Sequence, residues 1–233
     1  MKIAFKYINY IISIIKGSDF RIDNQIPLSY VIILLINKLF YFIYGCLVFK
    51  CKQRAFVHFS SKIKCKSKIK FKSNLIIERN CIIDALSSDG ITFGKNVSLG
   101  MNTTIQCTGS FNLLGKGLIT GNNVGLGTHG FFGCAGGIQI GNDTIFGNFV
   151  SIHSENHNYN SKDIPIRLQG VNRTGIKIGS NCWIGSKVTI LDGAIIQDGC
   201  IIAAGALVSA GVYKSNYIYG GIPAKLIKYR FTK

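Results

Sequence analysis

The sequence has 233 residues, of which 47% are hydrophobic, and it carries a formal net charge of +17. This length and composition allow a sizeable buried core, and 27 glycines against only three prolines favour a fold with many tight corners. The eight cysteines show no paired or CxxC-type spacing, which argues against a disulfide framework or a zinc site and favours a reducing compartment. The basic residues lack interleaved aromatic side chains and match no groove-docking motif, which argues against a nucleic-acid partner.

The chain opens with an apolar and basic segment, residues 1–56. Its first part, Lys2 to Lys16, has no small-residue cleavage site and does not resemble a secretory signal. A stronger apolar run from Tyr30 to Phe49 is long enough to span a bilayer, but Asn37 and Lys38 fall near its middle, where a Lys costs about 3 kcal/mol. We therefore expect a helix that lies on a membrane or packs against the protein, and a span stays open as the less favoured alternative. Basic residues then mark the cytoplasmic side, namely Lys50, Lys52 and Arg54.

Much of the positive charge lies before residue 75, where lysines alternate strictly with other residues. Strand alternation sends such lysines to one side, toward water. We interpret the run as a solvated face, with an anionic membrane or a negatively charged polymer as the next candidate for a partner. The run consists of Lys62, Lys64, Lys66, Lys68, Lys70 and Lys72.

From residue 57 to residue 212, aliphatic residues recur every six positions. A helix returns apolar residues at three and four positions and a half-buried strand at two, whereas a six-residue period is typical of a hexapeptide β-helix. The series begins at Phe59 and Cys65, resumes after short insertions at Phe93, Leu114 and Ile140, and contains twenty-one hexads, which at three per turn predict about seven turns. The last and clearest run is Ile178, Ile184, Ile190, Ile196, Ile202 and Val208.

The largest interruption of this period is residues 155–175, which we predict to be an active-site loop that leaves the coil. The tail, residues 213–233, has Pro223 followed by AKLIKYRF, and we predict a short closing helix there. The expected fold is therefore all-β, a parallel β-helix with a helical N-terminal segment and a short C-terminal helix.

Five stretches of the sequence carry a family resemblance. The motif IGSNCWIGSKVTILDGAIIQDGCIIAAGALV followed by YGGIPAKLIK resembles the C-terminal signature of the left-handed β-helix, or hexapeptide-repeat, acyltransferases. The IHSENHNY, IRLQG and DGITFGKNVSLG stretches are more similar to the branch from capsule, O-antigen and exopolysaccharide gene clusters. The resemblance implies a left-handed coil, acetyl-CoA as co-substrate without a metal, and a homotrimer with three sites at subunit interfaces.

Acyl transfer to a hydroxyl needs a base, and an imidazole of near-neutral pKa suits that work. His157 stands at the corner where the loop departs, and it matches the position of the family's catalytic histidine, so it is the predicted general base. His153, four residues earlier, and Glu155 are candidate supporting residues; a carboxylate can hold an imidazole tautomer. His129 is a candidate for lining the acceptor pocket, although the family's sugar-binding residues do not map cleanly onto THGFFGC.

The donor side is predicted from small residues one turn apart. Ser186 and Ala204 are both third in their hexads and eighteen residues apart, so they stack on one face and leave room for a pantetheine arm. The resemblance further implies an oxyanion donor near Gly185 or Ser186 and a tryptophan, Trp183, that borders the acceptor and donor sites. It implies CoA contacts at Ser209, where many relatives carry Thr-Lys instead of Ser-Ala, and at Lys225 and Lys228.

We therefore expect a CoA-dependent O-acetyltransferase that modifies a sugar hydroxyl of a bacterial surface polysaccharide or its precursor. The expected location is the cytoplasm, at or near the inner face of the cytoplasmic membrane. Another small acceptor, an amino sugar or an antibiotic, is the nearest alternative. A zinc carbonic-anhydrase-like coil needs three converging histidines, and a non-catalytic membrane-associated scaffold is the third alternative.

Overall fold

The structure is a computed structural model that describes residues 22–23, 25–51 and 53–231. The described part contains one long helix, α1, from Leu28 to Phe49, and 25 short strands. Most strands stack in parallel as three faces of a triangular prism, which we call faces A, B and C in the order in which each turn visits them. The coil is left-handed, as the resemblance implies.

Face A contains nine strands, and their bounds show that seven turns are followed by the start of an eighth. They are β1 (Ala55–Val57), β4 (Leu75–Ile77), β7 (Ser98–Leu99), β10 (Gly125–Leu126), β13 (Ile145–Phe146), β18 (Trp183–Ile184), β21 (Ile201–Ile202), β24 (Tyr217–Gly220) and β25 (Lys225–Tyr229). The coil therefore begins two residues before the predicted boundary at 57 and continues past residue 212.

Faces B and C contain seven strands each. Face B consists of β2 (Lys62–Lys64), β5 (Ile82–Asp84), β8 (Thr104–Gln106), β11 (Phe131–Gly133), β14 (Ser151–His153), β19 (Thr189–Leu191) and β22 (Leu207–Val208). Face C consists of β3 (Ile69–Ser73), β6 (Gly90–Lys95), β9 (Gly117–Thr120), β12 (Ile138–Ile140), β17 (Ile176–Ile178), β20 (Ala194–Ile196) and β23 (Gly211–Tyr213). Two further strands, β15 (Asn156–His157) and β16 (Val171–Asn172), form a separate antiparallel pair. Short 3₁₀ turns lie at Lys66–Lys68 and Ile166–Leu168.

The interior of the prism is a column of aliphatic side chains in register. Ile152 pairs with Phe132 on one side and with Ile190 on the other, and all three are fully buried. Each turn thus covers the apolar surface of its neighbours, so stability accumulates turn by turn. All six members of the clearest predicted series, Ile178, Ile184, Ile190, Ile196, Ile202 and Val208, are buried.

The predicted frame is wrong in places near insertions. Phe59 is 72% exposed and Leu114 is 49% exposed, and Cys65 stands exposed at a corner with φ of 52°. In the first turn, Val57 and Ile69 point inward instead. The six-residue period fixes the spacing of inward residues, but it does not fix which of two apolar residues near a corner points inward.

Asparagines at the C–A corner explain how the chain turns so tightly. Asn74, Asn96 and Asn123 all have φ near +55°, a conformation that asparagine tolerates better than most side chains. Their side-chain amides form a ladder, because Asn74 donates to Asn96 at 2.8 Å and Asn96 donates to Asn123 at 2.8 Å. Asn123 in turn donates to Asp143 at 2.7 Å. The side-chain amide at each of these corners is thus hydrogen-bonded to the side chain at the same corner of the next turn.

Helix α1 packs against the first turn of the coil. Its Gly45 is buried so closely on β1 that an added Cβ would lie 2.1 Å from the carbonyl oxygen of Ala55. Lys38 Nζ lies 2.9 Å from Glu78 Oε1, and the ring centroids of Phe42 and Phe56 lie 5.6 Å apart. The helix is long and apolar enough to cross a membrane, but one side of it is occupied by the coil.

The prediction of a C-terminal helix is wrong. Lys225–Tyr229 forms strand β25, which pairs antiparallel with β24. The last parallel strand of face A would otherwise end with unpaired backbone groups, and the returning chain satisfies them. The apolar tail therefore extends the sheet by one strand.

Candidate active site

The largest excursion from the coil, residues 155–175, leaves the B–C corner between β14 and β17 and is called the arm. It is an ordered hairpin, because His157 pairs with Val171 across β15 and β16. Gln169 fixes the tip: its Nε2 donates to the carbonyl oxygens of Ser161 and Ile164 at 2.8 and 2.6 Å. His157 therefore stands on a defined strand outside the prism.

A buried carboxylate anchors the return of the arm to the coil. Asp192 is only 4% exposed, and its oxygens accept hydrogen bonds from the backbone N–H of Thr174 at 2.9 Å and of Gly175 at 2.7 Å. A carboxylate that accepts backbone N–H groups in this way forms strong, charge-assisted bonds. Asp192 was not among the predicted site residues: it lies within the repeat motif of residues 178–208, but nothing in that motif marks it as the anchor of the arm.

Arg173 joins the arm to a second excursion from the same corner, the loop of residues 107–116. Its Nε donates to Glu155 Oε2 at 2.8 Å, and its terminal nitrogens donate to the carbonyl oxygens of Leu114 at 2.9 Å and Leu113 at 3.2 Å. Glu155 was predicted as a candidate to fix the tautomer of His157, but in the structure its carboxylate forms an ion pair with Arg173. The opposite charges at the two ends of the arm, Glu155 and Arg173, were the available sequence signal for this pair.

The two histidines at the start of the arm have different surroundings. The imidazole of His157 is exposed and has no hydrogen-bond partner among the described residues, so both ring nitrogens are available to a substrate. His153, on the outer side of face B, lies with its Nε2 2.8 Å from the hydroxyl of Ser151 and its ring 5.4 Å from that of Phe131. Burial lowers the pKa of His153, which favours its neutral form.

His129 lies at the A–B corner, not on the arm. Its backbone has φ of 56°, its Nε2 lies 2.8 Å from Asn102 Nδ2, and its ring stacks on Phe149 at 4.7 Å. Asn102 and Phe149 occupy the equivalent corner in the turns before and after. His129 therefore shares a corner with the predicted donor site, two turns away along the coil.

The predicted donor residues Ser186 and Ala204 stack at the A–B corner, in the connections between β18 and β19 and between β21 and β22. An added Cβ on Gly185 would lie 2.5 Å from Ala204 N, and one on Gly147 would lie 2.5 Å from Ser186 N, so this edge is closely stacked. The N–H of Gly185 donates to Ile202 at 2.8 Å within the coil. The N–H groups of Ser186 and Ala204 make no hydrogen bond within the described chain, which leaves them free for a ligand.

Trp183 stands beside this corner in an outward row on face A. It is 53% exposed and pairs in register with Ile145 and Ile201. The row continues through Ile218 to Lys228 on β25. The row from Ile145 to Ile218 thus forms an apolar strip that runs beside the A–B corner and ends at the basic residues of β25.

The last two predicted donor residues lie at that C-terminal end. Lys225 is exposed on β25 and pairs with Gly220. Ser209 is half-buried after β22, at the B–C corner and therefore not at the A–B corner with Ser186 and Ala204, and its carbonyl oxygen accepts a hydrogen bond from the hydroxyl of Tyr213 at 3.1 Å.

A single chain does not bring the predicted base and the predicted donor residues together. His157 and its arm depart from the B–C corner, whereas Ser186 and Ala204 lie on the A–B corner, and face B separates them. The clearest surface clefts of the described chain lie elsewhere, one beside the end of α1 and one on face C. Within the same residues, no three His, Cys, Asp or Glu side chains converge on a possible metal position.

Comparisons with known proteins agree with this architecture. The family model for the bacterial transferase hexapeptide of six repeats matches residues 175–210, and the model for the hexapeptide repeat of succinyl-transferase matches residues 74–107. No curated protein matches the sequence significantly.

Three solved structures are among those that are similar to this chain. AntD, an N-acyltransferase from Bacillus cereus in complex with dTDP and 3-hydroxybutyryl-CoA, has a TM-score of 0.52 and 16% identity over 75% of this chain and 79% of its own. A hexapeptide-repeat acetyltransferase from Vibrio cholerae complexed with acetyl coenzyme A has a TM-score of 0.46 and 17% identity over 71% and 72% of the two chains. A maltose O-acetyltransferase from Clostridium difficile 630 has a TM-score of 0.44 and 18% identity over 84% and 88%.

The repeats and the coil define the architecture: the chain is a left-handed β-helix with hexapeptide repeats. Both matched models describe repeats of transferases, which agrees with the predicted enzyme class, a hexapeptide-repeat acyltransferase. The AntD structure, which passes a TM-score of one half at low identity, supports the fold alone.

Proposed function

We propose that this protein is a CoA-dependent O-acetyltransferase that acts on a sugar hydroxyl. The observation that carries the proposal is the exposed imidazole of His157, which stands without a partner on an arm anchored by Asp192 and Arg173. A surface histidine needs no such anchoring, whereas a general base must be held within hydrogen-bond reach of its substrate. AntD, whose structure supports the same fold, is an N-acyltransferase that was solved in complex with dTDP and 3-hydroxybutyryl-CoA.

The geometry supports a defined role for each part in the reaction. A ring nitrogen of His157 takes the proton of the acceptor hydroxyl, and the hydroxyl oxygen forms a bond to the thioester carbonyl carbon. The free N–H of Ser186 is the oxyanion donor of choice, because the N–H of Gly185 is already bonded to Ile202. Collapse of the tetrahedral intermediate breaks the bond from carbon to sulfur, and the leaving thiolate receives the proton from His157.

The donor groove is the A–B corner. Its stacked small residues leave width for the pantetheine arm, and the row from Ile145 to Ile218 offers an apolar wall beside it. Lys225 and Lys228 at the end of the coil are placed to meet the phosphates of CoA. Trp183 then borders the thioester end of the groove.

A homotrimer would complete this site. Because the arm and the donor corner lie on different edges of one prism, a neighbouring copy is the natural source of the second half. The arm presents apolar side chains that its own chain leaves exposed, as an intersubunit contact requires. These side chains are Ile164, Ile166 and Leu168.

The acceptor proposed is a surface polysaccharide or its precursor. This part of the proposal depends on the resemblance of the IHSENHNY and IRLQG stretches to the polysaccharide branch, and IRLQG spans the 3₁₀ turn and Gln169 that shape the tip of the arm. The tip is therefore the part of the arm placed to select the acceptor.

The test is acetyl transfer from acetyl-CoA to purified host polysaccharide, followed by NMR of the O-acetyl signals. His157→Ala should abolish those signals while the circular dichroism and oligomeric state stay unchanged, and Lys95→Ala, at an exposed position on face C away from the arm, serves as the control. Acetyl transfer to the amino group of an amino sugar, with no transfer to hydroxyls, would show that the protein is an N-acetyltransferase instead. Near-normal O-acetylation by His157→Ala would refute it.

A further inference from the structure

The outer side of helix α1 is an apolar surface, several turns long, that no residue of the coil covers. Two of its side chains, Phe40 and Leu47, are 63% and 68% exposed. Soluble proteins rarely leave a contiguous apolar surface of this extent to water, and such surfaces mark contact sites. The large exposed residues on this side are Ile32, Ile33, Ile36, Leu39, Phe40, Ile43 and Leu47, and Tyr30, Leu34 and Leu35 are exposed elsewhere on the N-terminal half of the helix.

The inner side of the same helix is docked on the coil. Lys38 forms an ion pair with Glu78 at 2.9 Å, midway along the helix. Tyr41 meets His58 edge to face at 4.9 Å, and Phe49 at the C-terminal end meets Phe71 at 5.0 Å. The contacts from Lys38 to Phe49 cover about 16 Å of helix at about 1.5 Å per residue. Over this length the helix can meet lipid only through its other side, so a bilayer cannot surround it there.

The first turn of the coil, which lies beside this helix, carries only positive charge. Residues 50–77 contain nine basic residues and no acidic residue, whereas the rest of the chain holds all ten acidic residues. The eight whose side chains are described are exposed. Successive turns are about 4.8 Å apart, so these charges lie close to the end of the prism that the helix covers. They are Lys50, Arg54, Lys62, Lys64, Lys66, Lys68, Lys70 and Lys72.

We propose that helix α1 and the basic first turn form a docking surface for an anionic lipid bilayer, with the helix lying in the plane of the interface. The outer side of the helix enters the boundary between headgroups and acyl chains, and the lysines meet the lipid phosphates. A second copy is a poorer occupant, because symmetrical docking through this surface would bring two purely basic turns together. The proposal is independent of the acetyltransferase assignment.

The experiment is flotation of the full-length protein with vesicles of phosphatidylcholine, with and without phosphatidylglycerol. Wild type should float with the anionic vesicles, bind the neutral ones weakly, and be released by high salt or alkaline carbonate. The double variant Phe40→Gln with Leu47→Gln changes only exposed positions and should lower binding about tenfold or more.

A matched pair of lysine variants separates docking through the end of the coil from general charge attraction. Lys70→Gln with Lys72→Gln removes two charges of face C beside the helix, and binding should fall roughly tenfold or more. Lys177→Gln with Lys214→Gln removes two exposed charges at the far end of the same face, on β17 and just after β23, and should leave binding near wild type.

Three results would overturn the proposal. The first is failure of wild type to float with anionic vesicles, in which case a change in oligomer size for the Phe40/Leu47 variant would assign the surface to a second copy. The second is an equal loss of vesicle binding in both double lysine variants together with unchanged binding in the Phe40/Leu47 variant. The third is resistance to carbonate extraction, which would indicate a spanning helix.

Discussion

Removing Arg173 should loosen the arm at its base. The side chain of Arg173 is 16% exposed and that of Glu155 is 28% exposed, so their 2.8 Å ion pair is partly shielded from water. A hydrogen bond to a charged group contributes about 1.5–3 kcal/mol, and two bonds to the carbonyl oxygens of Leu113 and Leu114 add to it. Discounted for partial exposure, Arg173→Ala should favour opening of the arm by about 3 kcal/mol, which is roughly a 100-fold change in the equilibrium.

Amide hydrogen exchange measures this opening directly. The N–H groups of Thr174 and Gly175 are bonded to Asp192 at the base of the arm, and they exchange only when the base opens. Their exchange should accelerate about 100-fold in Arg173→Ala, while amides of the coil keep wild-type protection. Glu155→Gln should accelerate it less, and the double variant should be non-additive because the two residues share one ion pair.

Arg167 provides the matched control for that experiment. It is an exposed arginine on the same arm and forms no ion pair within the described chain. Arg167→Ala should therefore leave exchange at the base of the arm unchanged. Wild-type exchange in Arg173→Ala, or equal acceleration by both variants, would refute the role assigned to Arg173.

Three further predictions concern the helix, the core and His153. Gly45→Ala places a Cβ 2.1 Å from a carbonyl oxygen of the first strand, so the helix should lose protection in hydrogen exchange, whereas Leu47→Ala at an exposed position should not. Phe132→Ala empties a fully buried site and should lower the free energy of unfolding by about 3–5 kcal/mol in denaturant titrations, while Phe111→Ala, at a side chain 93% exposed, should not. Burial lowers the pKa of His153 below its ordinary 6.5, so the midpoint of its NMR titration should lie below that value. The contribution of His153 to stability is then present above the unfolded-state pKa and is lost as the pH falls through the folded-state pKa. A midpoint at or above 6.5 would contradict this assignment.

The repeat could be predicted because every turn repeats the same physical requirement. Ile184, Ile190 and Ile196 are each buried against an apolar residue of the next turn. The six-residue period of buried residues is therefore visible in the sequence. The period is ambiguous where an insertion offers two apolar residues close together, as at Phe59 and Leu114. It also says nothing of the tail, where an open strand edge selects strand β25 over the helix predicted from Pro223 and the residues after it.

The candidate site could be predicted less completely than the coil. The position of His157 followed from the interruption of the repeat and from the family resemblance, and the structure places it on an anchored strand. The anchoring residues Asp192 and Arg173 lie 35 and 16 positions after His157, and only the fold shows that they hold its arm. The prediction that Glu155 holds the imidazole of His157 was wrong for the same reason, because only the fold brings Arg173 next to Glu155. The separation of His157 from Ser186 by face B also depends on the order of corners in the coil.

The central claim is that His157 is the base for acetyl transfer to a hydroxyl. The most direct measurement is the rate of acetyl transfer from acetyl-CoA to the host polysaccharide, for wild type and His157→Ala at equal acetyl-CoA occupancy. We expect the variant to bind acetyl-CoA normally and to lose about 100-fold or more in rate. A variant that keeps the wild-type rate would contradict the account.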